Sequence, residues 1–499
     1  MPALPGWIKR ISWFLWILLL VFLPVTSMPL IVKLVRSDTV AAPSGIFLAI
    51  LAIIWLVPYI LYRGAFPKTT IPLFLFIGLA LFSTFLSIFY EIPLYKGHKV
   101  FVEGATSLLT LAIGVLFYLV TVTMIQDENK QKKTLQWISI AGALIILWSF
   151  AQAISWATIT RYPVWMKDIH DLYSVGPLFR QRVSGFALEP SWLAHQMNVL
   201  FIPYWLAATL AKTTAFRWKI WKFSIENILL LAGIAVLLLT YSRIGLAALL
   251  VMLAVPVLIT AWHVLQKINH RIFSQKGIQH ATWFIKVLLH AAWIIILVFA
   301  GSSILLGLGY ALSKLDMRMA SLFEFDFQHR DAMLFYAEKL SLAARFVYWD
   351  AGWGVFEKFP ILGAGLGNSG FFFPETLHPY AWKLTEVRAL LFRSDTLLNS
   401  KSLWVRLLAE TGIIGFSAFI GWLFAIFQGI PGKLKKATRP SSAMGWMTIF
   451  ILIGLVFEGF SLDSFGMPYL WIALGIVSSM HLTTSNSQPE IQIQASGEI

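Results

Sequence analysis

Long apolar stretches, separated by short polar ones, follow each other along nearly the whole chain. Each stretch approaches or exceeds the roughly 20 apolar residues with which a helix crosses a bilayer. The pattern predicts an all-α polytopic membrane protein with about 12 transmembrane helices, since helices satisfy their own backbone groups in lipid. The predicted spans are residues 11–34, 45–62, 71–90, 105–125, 136–158, 192–211, 225–241, 243–262, 288–312, 403–428, 443–460 and 467–483.

Two segments between spans, 159–191 and 313–402, are too long to be simple connectors. The second contains amphipathic stretches, notably 328–358, so we predict that it forms a helical cap on the outer face. The predicted organisation is 1–158 for the first five spans, 159–191 for the first outer loop, 192–312 for spans six to nine, 313–402 for the large outer helical loop, 403–483 for the last three spans and 484–499 for a polar tail.

Composition excludes a soluble protein. Of the 499 residues, 58% are hydrophobic and 13% are charged. Soluble proteins contain about 45–50% apolar and about 25% charged residues. The chain has no cysteine, which excludes disulfides, thiol nucleophiles and thiolate metal ligands.

The formal charge of +15 has a specific location in this topology. With the N-terminus inside, the inside segments hold nineteen basic and four acidic residues, which accounts for the whole net charge. Lys and Arg prefer cytoplasmic loops, so we predict that both termini are cytoplasmic. The charge therefore orients the chain, and we predict no nucleic-acid partner.

The segment that enters the sixth span from outside contains Arg180, Arg182 and Glu189. Guanidinium groups suit bidentate capture of phosphate, and the N-terminus of the following helix also favours an anion. The alternative is structural, with the arginines anchoring the chain at the membrane interface and Glu189 complementing the helix dipole.

Two further arginines are functional candidates. Arg243 lies in a very short turn between the seventh and eighth spans, where an unpaired charge is costly. Its alternative role is to extend its charge to the lipid headgroups. Arg345 lies in a predicted helix whose spacing places it on one face with Trp349, Gly352 and Phe356. Such a stripe is more often core than site.

A glycine-rich turn that includes Gly363 and Gly365 follows this helix, and Lys401 precedes the tenth span. The glycines permit either close backbone packing, which we favour, or an amide nest for a phosphate. Farther along, Arg406 and Glu410 have the i, i+4 spacing of a structural ion pair. The histidines show no metal-ligand spacing, and we predict neither a metal site nor a cofactor.

Together these segments resemble the superfamily of bacterial O-antigen ligases and Wzy-type polysaccharide polymerases. The resemblance covers about 180–415, and its strength lies in the order and spacing of the pieces. The matching pieces are Arg182-x-x-Gly185 with Glu189-Pro-Ser191, then Ser242-Arg243, then Arg345, Trp349 and Pro360-Ile-Leu-Gly-Ala-Gly365, and finally Leu403 with Ala409-Glu-Thr-Gly-Ile-Ile-Gly415.

The resemblance implies a glycosyltransferase of the GT-C-like fold that acts without a metal on the outer face of the bacterial plasma (inner) membrane. It implies an undecaprenyl-diphosphate-linked glycan as donor and as acceptor, contact with membrane lipids, and a chain-length regulator as an optional partner. The residues assigned on this basis are Arg243, Arg345 and Glu189 as catalytic, and Arg180, Arg182, Lys401, Trp349, Gly363 and Gly365 as substrate-binding.

One departure from the ligase pattern favours a polymerase. Ligases have a His-Asn pair at the entry of the tenth span, where this chain has Lys401 and Ser402. A protonated lysine is a poor general base, so a ligase-type role at this position is in doubt. We therefore expect polymerisation of repeat units into a surface polysaccharide, with ligation to lipid A–core as the alternative. A transporter or flippase for a lipid-linked glycan is the alternative from another class.

Overall fold

The computed structural model describes residues 4–35, 41–274, 342–428 and 439–485, together with scattered positions between 291 and 336. These residues are almost wholly helical. A hairpin of two short antiparallel strands, β1 (Lys219–Ile220) and β2 (Phe223–Ser224), is also present. Short 3₁₀ segments occur at Ser87–Phe89 and Pro379–Lys383.

The main helices follow the predicted hydropathy pattern closely. In chain order they are α1 (Gly6–Phe22), α2 (Pro29–Val35), α3 (Pro43–Leu61), α4 (Thr70–Leu86), α5 (Val100–Met124), α6 (Glu128–Ile159), α7 (Val164–Tyr173), α8 (Pro190–Gln196, continued by Met197–Phe201 and Ile202–Ala211), α9 (Ile225–Leu239), α10 (Arg243–Ser274), α11 (Ala343–Lys358), α12 (Ser369–Thr376), α13 (Thr385–Arg393), α14 (Leu403–Phe427), α15 (Arg439–Glu458) and α16 (Pro468–Ser485).

Among the described residues, six helices are long and apolar enough to cross a membrane: α3, α4, α5, α6, α10 and α14. The helices α9, α15 and α16 contain shorter apolar segments. A helical, multi-span membrane protein is thus confirmed, while the number of about 12 spans stays a prediction. The predicted span 288–312 and the tail 484–499 lie largely or wholly outside the described residues, as does much of 313–341.

The first predicted span, 11–34, is wrong as one continuous helix. The helix α1 begins earlier, at Gly6, and ends at Phe22, and α2 begins only at Pro29. Pro24 lies directly after α1, and a proline cannot donate the backbone hydrogen bond that would continue a helix. The connecting backbone is instead held by other segments, because Met28 N donates to Ala41 O at 2.9 Å.

Two internal prolines are accommodated by wider helical turns. In α3 a π-helical turn at Ala52–Leu56 precedes Pro58, and in α8 a π-helical turn at Met197–Phe201 precedes Pro203. A proline ring clashes with the carbonyl four residues earlier, and a wider turn relieves that clash. Both helices therefore continue through their prolines.

Small residues allow the membrane helices to pack closely. A Cβ atom at Gly114 in α5 would lie 2.2 Å from the Trp471 ring of α16. A Cβ atom at Gly142 in α6 would lie 2.5 Å from the Trp205 ring of α8. Close approach at small residues is typical of helix packing in lipid, where burial of apolar surface provides little driving force. Each glycine here receives one large indole ring.

The described part of the predicted large loop, 342–402, is largely helical and has its own apolar cluster. The helices α11, α12 and α13 contribute buried side chains such as Tyr348, Phe372 and Val387. The cluster packs next to α14, where it includes Ala409. This part of the chain is therefore a folded unit that lies against the membrane helices.

The glycine-rich turn after α11 docks onto a break in α14. Gly412 has a φ of 62° and a ψ of −171°, so the helical path is interrupted there. Ala364 N donates to Ala409 O at 2.9 Å, and Gly365 N donates to Glu410 O at 3.0 Å. Ile413 N in turn donates to Pro360 O at 2.9 Å. The backbone groups released by the break are thus satisfied by the glycine-rich turn.

We predict that Gly363→Ala destabilises the protein by about 2–4 kcal/mol, because an L-residue resists positive φ and the site has no space. Gly363 has a φ of 76°, and an added Cβ would lie 2.3 Å from the Glu410 carbonyl carbon. Thermal unfolding of the detergent-solubilised protein measures the change. The control is Gly421→Ala in the same helix α14, where a Cβ meets nothing within 4 Å. Equal unfolding temperatures for the two variants would contradict the prediction.

Candidate active site

Arg243 is positioned by a tight turn between two apolar helices. The helix α9 ends at Leu239, Tyr241 adopts a left-handed φ of 48°, and α10 begins at Arg243 itself. Ser242 caps α10, since its Oγ accepts from Gly245 N at 3.3 Å. The turn leaves no freedom to move the arginine away from this helix end, where its side chain is half-buried. The short connector predicted from the sequence is confirmed.

Arg182 reaches the same turn from a distant part of the chain. Its Nε donates to Thr240 O at 2.8 Å, and the adjacent Val183 N donates to Leu239 O at 3.1 Å. The segment is held from behind by Gln152, whose Oε1 accepts from the backbone N–H groups of residues 184 and 185 at 3.1 and 3.0 Å. Two guanidinium groups are thereby assigned to one helix–helix turn. Guanidinium groups form charge-assisted, often bidentate, hydrogen bonds with phosphate and carboxylate oxygens.

Arg345 approaches this end of the bundle from α11. Its Nη1 donates to Ser461 Oγ at 2.8 Å, just beyond the end of α15. Arg345 is half-buried, and this burial lowers the pKa of its guanidinium. Four acidic side chains have charges near enough to oppose this shift, namely Glu386, Asp463, Glu458 and Glu189.

Glu189 precedes α8 and is solvent-exposed. Its Oε2 accepts from Ser191 Oγ at 3.1 Å, and Pro190 occupies the first helical position. The carboxylate sits at a helix N-terminus, as the dipole interpretation requires. Because its charge also acts on Arg345, it shares the electrostatic surroundings of the candidate site. An exposed carboxylate there is chemically able to accept a proton.

Lys401 is paired rather than free. Its Nζ lies 2.9 Å from Glu386 Oε1 and 4.7 Å from the centre of the Tyr348 ring. Glu386 also acts on Arg345, so the lysine belongs to the same neighbourhood. The ion pair is partly exposed, at 35% for the lysine and 50% for the glutamate side chain. Pairs of this kind contribute little to stability.

Trp349 and the two glycines have packing roles. The Trp349 ring lies 5.3 Å from Phe346 and 5.4 Å from Phe460, centre to centre. Trp349 therefore meets the same end of α15 as Arg345, as their predicted common face requires. Gly363 and Gly365 lie in the turn that docks onto α14, which agrees with the packing interpretation. The amide of Gly365 is engaged by Glu410 O and is not free for a phosphate.

Arg180 lines a separate cleft of about 540 Å³. Two other cationic side chains, Arg161 and Lys167, line the same cleft, and Trp156 and Tyr162 form an aromatic wall. Arg180 is only two residues from Arg182, which binds the α9–α10 turn. The structure thus separates these two arginines, and only Arg182 joins Arg243.

A buried contact between two ionisable side chains at the same helix ends was missed from the sequence. His195 Nε2 in α8 lies 3.0 Å from Glu458 Oε2 at the end of α15, and both side chains are 2% exposed. Asn198 Nδ2 bridges Glu458 Oε1 at 2.7 Å and Gly245 O at 2.8 Å. The available signal was the presence of ionisable residues within two predicted spans, 192–211 and 443–460.

Comparison with known families supplies independent evidence. Residues 228–420 match the family model described as O-antigen ligase, which covers less than half of the chain. The matched segment includes Arg243, Arg345 and Lys401, while Arg182 and Glu189 precede it. No curated protein matches the chain. The resemblance inferred from the motifs is confirmed: residues 228–420 of this multi-span helical protein are similar to the O-antigen ligase family, whose members are enzymes of the glycosyltransferase type.

Proposed function

We propose that this protein polymerises undecaprenyl-diphosphate-linked oligosaccharide repeat units into a surface polysaccharide. The observation that carries the proposal is the meeting of Arg182 and Arg243 at one turn. Arg345 approaches the same helix ends, where it binds Ser461. Guanidinium groups at a membrane edge suit the diphosphate of a lipid-linked donor, since they bind phosphate oxygens in a bidentate manner.

The proposed reaction is a glycosyl transfer with inversion. An acceptor hydroxyl oxygen forms a bond to the anomeric carbon as the bond from that carbon to the diphosphate oxygen breaks. Negative charge develops on the departing diphosphate, and preorganised guanidinium groups in a partly desolvated site stabilise it. The lowered pKa of Arg345 through burial is consistent with such surroundings. No metal is needed for this charge stabilisation.

Glu189 is the proposed acceptor of the hydroxyl proton, or the group that orients the acceptor. Its carboxylate is exposed and therefore open to an incoming sugar. Its Oε2 accepts from Ser191 Oγ, and a carboxylate has further lone pairs for another donor. A weak base is sufficient here, because the hydroxyl loses its proton late in an inverting displacement.

A ligase is the second candidate, favoured by the match of residues 228–420 to the O-antigen ligase family. Lys401 argues against a ligase-type mechanism at the position where ligases carry a histidine. Its ammonium group contacts Glu386 and the Tyr348 ring, an arrangement that suits a cation rather than a proton acceptor. The family match offers no support for a transporter or flippase.

We place the site on the outer face of the plasma membrane, with both termini in the cytoplasm. The support is the concentration of Lys and Arg in alternate loops. The candidate arginines all lie at the helix ends opposite those loops. The helix α8 begins there, for example, while its other end leads to the basic segment 212–224.

Arg243→Gln and Arg345→Gln are each expected to reduce polymer formation about 100-fold or more, because one preorganised charge-stabilising donor contributes that much. The measurement is the glycan ladder from a strain that depends on this protein, normalised to protein level. The matched control is Arg393→Gln, which removes an exposed arginine of α13. A normal ladder from both site variants would exclude the assignment.

Purified protein supplied with a single lipid-linked repeat unit is expected to release lipid diphosphate and to form products longer by whole repeat units. Mass spectrometry of the extracted lipids measures both. A ligase would instead give product only after a separate acceptor is added. If the protein gives no transfer product and releases no lipid diphosphate under any of these conditions, the glycosyltransferase proposal has no support.

A further inference from the structure

A buried polar cluster connects α8 to the end of α15, next to the candidate active site. Its members are His195, Asn198 and Glu458, and the distances from Glu458 to the other two are 3.0 and 2.7 Å. Asn198 is completely buried, and His195 and Glu458 are 2% exposed. A carboxylate in this setting costs free energy unless its surroundings compensate for the lost water.

The compensation in this cluster is incomplete. Four atoms have no hydrogen-bond partner among the residues that the structure describes: His195 Nδ1, His195 Nε2, Asn198 Oδ1 and Glu458 Oε2. His195 Nε2 and Glu458 Oε2 lie 3.0 Å apart, but without the geometry of a hydrogen bond. Buried polar atoms without partners destabilise a folded protein, and apolar side chains would fill the same space at lower cost. The cluster is therefore not explained by stability.

A second buried carboxylate in the same chain shows what a structural role looks like. Glu226 near the start of α9 is fully buried. It accepts hydrogen bonds from Tyr204 OH at 3.1 Å, Thr214 Oγ1 at 2.8 Å and Ala215 N at 2.7 Å. It closes the connection between α8 and α9 at the end of the bundle opposite the arginines, roughly 20 Å along α9. Glu226 thus provides a matched reference for Glu458.

The cluster contacts the supports of both leading arginines. Asn198 Nδ2 donates to Gly245 O, two residues after Arg243 in the first turn of α10. On the other side, Ser461 N donates to Glu458 O at 2.8 Å, and Ser461 Oγ accepts from Arg345. A continuous series of contacts therefore runs from Arg345 through Glu458 and Asn198 to the helix end that carries Arg243.

We propose that Glu458, with His195 and Asn198, is a positioning group that holds Arg243 and Arg345 at the separation needed to bind the diphosphate. This inference rests on the proposed function. Asn198 fixes the first turn of α10, and the carboxylate supplies a nearby negative charge that orients the guanidinium of Arg345. None of the three touches the reacting atoms. They act through the arginines.

The charges around Arg345 agree with this geometry. Burial lowers the pKa of Arg345, and Glu458 is, after Glu386 and Asp463, one of the charges that oppose the shift. Two like-charged guanidinium groups at one site repel each other, and a buried carboxylate between their supports offsets that repulsion. Removal of the negative charge leaves the attraction for an anionic donor intact, so the loss should fall on kcat rather than on KM.

Glu458→Gln and Glu226→Gln are expected to have opposite effects in the full-length protein. Glutamine at 458 still accepts from Asn198 and is able to donate to His195, so the unfolding temperature should not fall. Its kcat should fall about 10- to 100-fold, the cost of a small misplacement of catalytic groups. Glutamine at 226 replaces one of the two carboxylate oxygens that accept from three donors, so the unfolding temperature should fall while kcat per folded molecule stays within twofold of wild type.

The double variant Glu458→Gln with Arg345→Gln tests whether the carboxylate acts through the arginine. Its kcat should be no more than threefold below that of Arg345→Gln alone, because the group being positioned is already absent. Multiplicative losses would overturn a positioning role. Activity of Glu458→Gln within twofold of wild type would overturn it too.

Chemical labelling provides a measurement that does not depend on glycosyl transfer. Phenylglyoxal reacts with the unprotonated guanidine, so loss of the Glu458 charge should increase the rate of labelling at Arg345 at least twofold, as read by mass spectrometry. Arg393 is the internal reference, and Glu226→Gln should label as wild type does. Unchanged Arg345 labelling in Glu458→Gln overturns the inference. If Arg345 is labelled faster in Glu458→Gln but the wild-type protein has no transferase activity, the positioning role of Glu458 is upheld and only the proposed function is overturned.

Discussion

The cost of placing a charged side chain at or within a membrane governs the organisation of this protein. Arg406 shows how the cost is met when a charge is structural. Its guanidinium binds Glu410 at 2.9 Å, Asp463 O at 2.6 Å and Ser107 Oγ at 3.1 Å, and it packs over the Phe465 ring. All three nitrogens of that side chain have a protein partner, so the charge is compensated within the protein.

The candidate-site arginines are arranged differently. Arg182 donates from Nε to a backbone carbonyl, and Arg345 donates from Nη1 to a serine hydroxyl. These contacts differ from the i, i+4 carboxylate pairing of Arg406 in α14.

Rigid backbone contacts make this arrangement possible. The break in α14 at Gly412 and the glycine-rich turn after α11 satisfy each other's backbone groups, which fastens the helical unit 342–402 to the membrane helices. That attachment places α11, and with it Arg345, against the helix bundle. Arg243 needs no such support, because its position follows from a turn of three residues between two long helices.

Local patterns were sufficient for much of the fold and for part of the site. Apolar runs predicted the helix positions, and the error at 11–34 arose because composition alone did not weigh the helix-ending effect of Pro24. Arg243 was identifiable because a turn of three residues constrains it locally. The packing role of Gly363 was the favoured interpretation, but the reason for it, the break in α14, depends on a residue 49 positions later.

The sequence by itself determined that the chain is a multi-span helical protein, because that follows from hydropathy. It also identified the arginines that are candidates for the site, because a charge in lipid is costly. Only the tertiary structure decided which charges meet. It joined Arg182 to the turn before Arg243, paired Lys401 with Glu386, and brought His195 to Glu458 across more than 260 residues. Contacts between helices far apart in the chain depend on packing and register, which no local spacing of residues encodes.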